Sequence, residues 1–333
     1  MTNIQINNTM KNIQIKNKEG DLLYEHECEN NTIKLTLEKA VKENVNLRGA
    51  YLERANLREA DLEGAYLEDA DLKRADLWKA DLERADLREA NLEVSYLERA
   101  RLWNANLEGA NLERAHLEGA HLEETNLRRA NLERAHFWSA HLTKADLWNA
   151  NLNRAFFQEA YLRDANLRDA ILKRADFWKA NLTKADLVKA NLEEANLSEA
   201  NLSEANLREA ILRDAVVERA NLTKTILWFA NLEHARLEEA NLTGANLKDV
   251  NLEGADLVWA NLWGVDRKGT FLTERNISLG NPRAFTYEVK KRRRDREKKE
   301  AQRREDRRRE DQRMEDRGRD DRGSSDFGGS DFG

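Results

Sequence analysis

Residues 70–89 read Ala70-Asp71-Leu72-Lys73-Arg74, Ala75-Asp76-Leu77-Trp78-Lys79, Ala80-Asp81-Leu82-Glu83-Arg84, Ala85-Asp86-Leu87-Arg88-Glu89. The same five-residue frame, Ala-(Asn/Asp)-Leu-x-x, runs from Val45 to Gly264, 44 times in succession, without an insertion or a deletion. Its third position is Leu in 40 repeats, the exceptions being Phe137, Phe157, Phe177 and Val217. Its first is Ala in 39, the exceptions being Val45, Ser95, Thr125, Thr225 and Val250. An α-helix turns about 100° per residue, so a period of five would wind the Leu positions around it instead of forming a stripe. In a straight strand the side chains alternate faces, so an odd period would send successive Leu to opposite sides. Keeping every Leu and Ala inside requires one change of direction per repeat. The chain therefore coils about a central axis, each pentapeptide forming a short side.

The rarer residues indicate the number of sides. Phe137, Phe157 and Phe177 are spaced by 20, as are His116 and His136, and His121 and His141. A coil of 20 residues, four sides of five, stacks each set on one face. The residue choices suit so narrow a tube. Leu fills the centre, Ala sits near the corner, and each buried Leu contributes about 1.5–3 kcal/mol. Asn or Asp precedes the third position in 29 of the 44 repeats, and their short polar side chains bond nearby backbone groups, as a turn at every corner requires. Composition alone misleads: 35% charged residues and a mean hydropathy of −0.84 suggest disorder, yet the apolar residues are concentrated in two of every five positions.

With this frame the run resembles the pentapeptide-repeat family, and the resemblance covers 220 of the 333 residues. It implies an all-β solenoid, a right-handed quadrilateral β-helix of 11 coils with the Leu and Ala positions pointing inward. At about 4.8 Å per coil the rod would be about 50 Å long. Some members of that family act as mimics of DNA at type II topoisomerases, which gives one alternative function.

The flanks differ from the rod. Residues 1–44 read as an N-terminal cap. Ile13 and Ile15 alternate with polar neighbours, Gly20-Asp21 reads as a turn, 22–27 as a second strand and 32–43 as a helix. Such a cap would cover the first coil's open end. Residues 265–289 carry Phe271, Leu272, Ile277, Leu279, Phe285 and Tyr287, with Pro282, the only proline, and read as a C-terminal plug. The same apolar surface would also suit a dimer contact. Residues 290–309 carry 13 Lys/Arg against 5 Asp/Glu, a net of +8, and 310–333 carry 4 against 8. This tail reads as an exposed helix or a disordered segment. Lys290, Lys291, Arg292, Arg293 and Arg294 are its candidate contacts with nucleic-acid phosphates. Phe327 and Phe332, in a doubled Ser-Asp-Phe-Gly, are candidate peptide contacts.

A single cysteine, Cys28, precludes an intramolecular disulfide, and neither a signal peptide's apolar core nor an 18-residue apolar run occurs. A cytoplasmic protein is expected. Three constellations are candidates for function. Seven of the eight Trp follow the Leu position and should face outward; Trp78, Trp138 and Trp178 share one face, with Trp148 and Trp228 on another. Outward Trp is the mark of a partner-binding surface, against the alternative of indoles lying flat on adjacent coils. The histidines fall in the columns Tyr96-His116-His136-Phe156 and Arg101-His121-His141-Tyr161, which read as polar-aromatic stacking and not as a metal site. The rod carries 39 Asp/Glu and 29 Lys/Arg, interleaved along columns such as Arg48, Glu68, Arg88, Glu108, Arg128, where opposite signs attract across rungs. A DNA mimic would need a more continuous acidic surface. A tube filled by Leu and Ala has no substrate cavity. The sequence therefore reads as a non-catalytic protein-binding or structural scaffold rod, without cofactor, whose contacts are made by the outward Trp residues and the charged tail.

Overall fold

The computed structural model describes residues 10–270. They open on two antiparallel strands, β1 (Met10–Lys16) and β2 (Leu22–Glu29), and a helix, α1 (Ile33–Lys42). Thr32 starts the helix: its hydroxyl accepts the Leu35 N–H at 3.2 Å, satisfying one of the free donors of the first turn. Leu37 and Ala40 of α1 and Ile15 of β1 are buried in one cluster with Leu47 and Leu52 of the first coil. Polar groups are closed there too. The Tyr51 N–H donates to the Lys16 carbonyl at 2.7 Å, the Asp61 N–H to the Glu38 carboxylate at 3.0 Å, and Lys34 Nζ to the Arg58 carbonyl at 3.0 Å. Without β1 and α1 these backbone groups would face an open sheet edge.

From Asn46 onward, each residue preceding the Leu position pairs in parallel with the residue 20 positions later, from Asn46–Tyr66 to Asn246–Asp266. Twenty residues taken in five-residue sides make four sides per coil. The side at Leu57 is typical. Leu57 and Glu59 donate to the Asp76 and Trp78 carbonyls, both at 2.8 Å, Asp76 donates to Ala55 at 2.9 Å, and Ala60 closes the turn on Leu57 at 3.1 Å. The Leu, Phe and Ala positions form one continuous buried cluster along the axis.

The Asn/Asp slot bonds in two directions. Its Oδ1 accepts the backbone N–H two residues on, as Asn181 does from Thr183 at 3.1 Å. Where the slot is Asn, Nδ2 donates to the slot one coil below. On one face this gives an unbroken ladder, Asn91 to Asp71 (3.0 Å), Asn111 to Asn91 (3.3 Å), Asn131 to Asn111 (3.0 Å) and Asn151 to Asn131 (2.9 Å).

The corner carries strain that the frame does not announce. The second residue after Leu is left-handed on every described side, with φ of 53–63° at the non-glycine positions from Arg54 to Trp259. Val94, at φ 56°, is the β-branched residue least suited to it. Replacing Val94 with Asn, which tolerates this region, should raise stability by about 1 kcal/mol. A urea midpoint that stays level or falls would show that Val94 is not strained.

The apolar frame ends at Gly264, but the coil continues one side further. Leu247 donates to the Asp266 carbonyl at 2.7 Å, Asp249 to Lys268 at 3.0 Å, and Thr270 Oγ1 accepts the Val250 N–H at 3.1 Å. Arg267 stands exposed where Leu would be. The rungs are made by backbone groups, so pairing outlasts the hydrophobic pattern, and the boundary at Gly264 moves to at least Thr270. No helix among the described residues is long and apolar enough to cross a membrane.

Candidate functional site

Two adjoining faces depart from the Asn/Asp rule at the same level of the rod. On the first, the outward slot runs Tyr96, His116, His136, Phe156, with ring centroids 5.1, 4.9 and 4.8 Å apart. On the next it runs His121, His141, Tyr161, at 4.9 Å per step, with Trp103 set edge-on to His121 at 6.3 Å. The rung spacing imposes these stacks. Beneath the first column the interior holds Phe137, Phe157 and Phe177, fully buried, with centroids 4.6 and 4.7 Å apart and planes within 3° of parallel.

Each histidine pair shares a carboxylate two residues after its lower member. Glu118 lies 3.5 Å from both His116 Nδ1 and His136 Nδ1, and Glu123 lies 3.5 Å from His121 Nδ1 and 3.9 Å from His141 Nδ1. Burial alone would raise the Glu118 carboxyl, but hydrogen bonds from His116 and His136 outweigh it and bring it down to about 2. The His116 imidazole is half-buried, which lowers its pKa, yet the bond and charge of Glu118 leave it raised above the ordinary value. Glu98, one coil below Glu118 in the same column, is pushed up by burial, with the Glu118 charge adding to the shift. The second oxygens of Glu98, Glu118 and Glu123 are buried and have no hydrogen-bond partner among the described residues. The histidine slots show in the sequence; these carboxylates emerge only when the 20-residue register is combined with the direction of the corner side chains.

The tryptophans divide into two groups. Trp78 lies under Arg58 at 4.3 Å and Lys79 at 4.1 Å, Trp148 under Arg128 at 4.8 Å, Trp178 under Lys179 at 4.1 Å and Trp228 beside Lys248 at 5.6 Å. Trp148 also donates from Nε1 to Asp169 at 3.2 Å. These four are half-buried and engaged with their own neighbours. Trp138, in contrast, is 49% exposed on the face that also presents Phe156 at 37%, and Tyr161 on the next face is 46% exposed. Trp263 is the most exposed, at 77%. Lys290, Lys291, Arg292, Arg293, Arg294, Phe327 and Phe332 lie outside the described residues.

The surface charges are largely paired across coils. Lys73 meets Glu93 at 2.7 Å, Arg101 meets Asp81 at 2.6 Å and Arg174 meets Glu194 at 2.7 Å. One corner column carries four Arg on successive coils, Arg114, Arg134, Arg154 and Arg174, before it turns acidic at Glu194. A shallow groove beside it is lined by Glu133, Asn153, Lys173 and Glu193.

The family model for pentapeptide repeats matches in eight copies, over residues 43–74, 65–104, 95–134, 130–169, 160–198, 190–228, 200–238 and 229–264. No curated protein sequence matches the chain. Among solved structures, the chain is similar to HetL, a pentapeptide repeat protein involved in heterocyst differentiation regulation from the cyanobacterium Nostoc sp. strain PCC 7120. The identity is 35%, over 59% of this chain and 86% of that one, with a TM-score of 0.37. It is also similar to QnrB1, a plasmid-mediated fluoroquinolone resistance protein, at 18% identity over 54% of this chain and 92% of that one, with a TM-score of 0.33. A pentapeptide repeat protein from the Arabidopsis thaliana thylakoid lumen is 29% identical over 32% of this chain and 68% of that one, with a TM-score of 0.23. Family repeats cover residues 43–264, and the backbone repeats every 20 residues over the same stretch, so the chain belongs to the pentapeptide-repeat family of right-handed β-helix solenoids.

Proposed function

We propose that this protein is a non-catalytic, cytoplasmic rod that binds a protein partner through the aromatic surface around Trp138. The observation that carries the reading is the contrast among the tryptophans. Trp78, Trp148, Trp178 and Trp228 are each covered by a cation, whereas Trp138 stands 49% exposed near exposed Phe156. Exposed aromatic side chains on a rigid backbone lose little entropy on binding and act as anchors. Residues 290–309, net +8, supply a second contact with an acidic partner or nucleic-acid phosphates. Mimicry of DNA at a type II topoisomerase is the weaker alternative. Cross-coil ion pairs and the Arg114–Arg134–Arg154–Arg174 column interrupt the acidic surface that mimicry requires.

The test is affinity purification of the full chain from its native cells, followed by titration of the protein recovered. Trp138→Ala combined with Phe156→Asn should weaken binding by a factor of about 30 or more, the loss expected of a pair of anchor residues. Trp78→Ala combined with Trp178→Ala should leave it within a factor of about 3, because those indoles already serve their own coils. Equal losses from both pairs, or none from the first, would refute the assignment of the contact surface to Trp138.

A further inference from the structure

The two histidine–carboxylate clusters carry more than stacking. Four of the six histidines stand in the slot that most often holds Asn or Asp, on two consecutive sides and two consecutive coils. Each gives up the Oδ1 acceptor and the Nδ2 donor that the slot ordinarily supplies to turn and ladder. What replaces them is a convergence of donors. The two Nδ1 atoms of His116 and His136 face Glu118, and those of His121 and His141 face Glu123; within each cluster one ligand atom per residue lies within 4.8 Å of the others.

We infer that His116, His136 and Glu118 form a binding site for a divalent transition-metal ion of the Zn²⁺ class, and that His121, His141 and Glu123 form a second, weaker one. Zinc bonds of about 2.0–2.2 Å in tetrahedral geometry place ligand atoms about 3.3–3.5 Å apart. Both histidine–Glu118 separations, at 3.5 Å, already match that spacing. The remaining adjustment is between the two imidazoles, whose planes are inclined by 30°. Two nitrogens and one carboxylate select Zn²⁺, Co²⁺ or Ni²⁺ over Mg²⁺ or Ca²⁺, which prefer all-oxygen shells.

The unpaired oxygens point the same way. Buried carboxylate oxygens without partners are rare because the loss of their hydration is left uncompensated. Here Glu118 and, one coil below, Glu98 each hold one; the histidines face Glu118 through Oε1, so a cation bound by both carboxylate oxygens would also satisfy the unpartnered Oε2, and its charge would ease the oxygen of Glu98. The two sites are not equal. In the second, His141 is further from its carboxylate, at 3.9 Å, and the position matching Glu98 is Trp103, which offers no charge. The histidines by themselves suit a simple aromatic stack; Glu118, Glu98 and Glu123 are what separate this arrangement from one.

Calorimetric titration of the untagged full-length chain with Zn²⁺ at neutral pH, repeated with Co²⁺ and read by visible absorption, tests the assignment. Two ions per chain are expected, the first bound at least 10-fold tighter than the second. His136→Asn and Glu118→Gln should each weaken the tighter event by at least 100-fold and spare the weaker one; His141→Asn should do the reverse. Asn is the commonest residue of this slot, so these histidine variants retain the fold, as thermal unfolding would verify. The double variant His26→Asn, His234→Asn should bind both ions unchanged. Absence of binding, or a tight event that survives both His136→Asn and Glu118→Gln, overturns the proposal. One ion abolished by His136→Asn upholds the first site and removes the second.

Discussion

Phe157→Ala should destabilise the middle of the rod by about 3–5 kcal/mol, the range for removing a fully buried ring that its surroundings cannot collapse to replace. Collapse is blocked here by geometry. Phe157 lies 4.6 Å from Phe137 and 4.7 Å from Phe177, ring on ring, and the rung bonds above and below fix that spacing. Phe157→Leu restores the frame residue and should cost about 1.5 kcal/mol or less. The manner of the loss is as diagnostic as its size. Each coil touches only its neighbours, so the energy of the rod is close to a sum of coil and interface terms. The deficit should therefore stay local, with amide-exchange protection falling between about residues 135 and 180 before either end. Urea unfolding followed by amide exchange checks both points. A midpoint unchanged by Phe157→Ala would mean that the aromatic stack adds nothing to the Leu core.

Much of this architecture is written in the sequence because it depends on volume and register. The Leu and Ala positions specify the interior, and the 20-residue recurrence of Phe and His specifies the coil. Features that depend on surface conformation are less visible. The left-handed corner residue is Arg, Glu, Lys or Asp more often than Gly, so nothing in its chemistry marks the turn. Each such residue carries about 1–2 kcal/mol of conformational cost, which the rung bonds offset without leaving a compositional trace. The covered tryptophans are hidden for a related reason. Whether Trp78 is an anchor or a packed plate depends on where Arg58 and Lys79 lie, a matter of rotamers and not of spacing. The continuation to Thr270 is invisible because Arg267 breaks the pattern of side chains but not the pattern of backbone bonds.

Ala160→Leu should cost about 3 kcal/mol, whereas Ala160→Ser should cost about 1 kcal/mol or less. Transfer from water alone would give the opposite order, since apolar groups gain on burial and a hydroxyl loses. The reason lies in the corner. Ala160 is fully buried beside Phe157, and its backbone links two coils: its carbonyl accepts the Asn181 N–H at 2.8 Å, and the Tyr161 N–H donates to Ala140 at 2.9 Å. Three more carbons have nowhere to go without parting those rungs. A hydroxyl, by contrast, has a ready acceptor. At the equivalent corner Ser95 Oγ donates to the Leu92 carbonyl three residues back at 2.7 Å, and Thr125 and Thr225 donate to the Leu102 and Leu202 carbonyls at 2.7 and 3.0 Å. In Ala160→Ser the matching acceptor is the Phe157 carbonyl, which already closes the turn on Ala160 at 3.0 Å and has a second lone pair. Denaturant midpoints of the two variants settle the order. A Leu variant more stable than the Ser variant would mean that the tube has room at its corners, and that Ala is not there for its size.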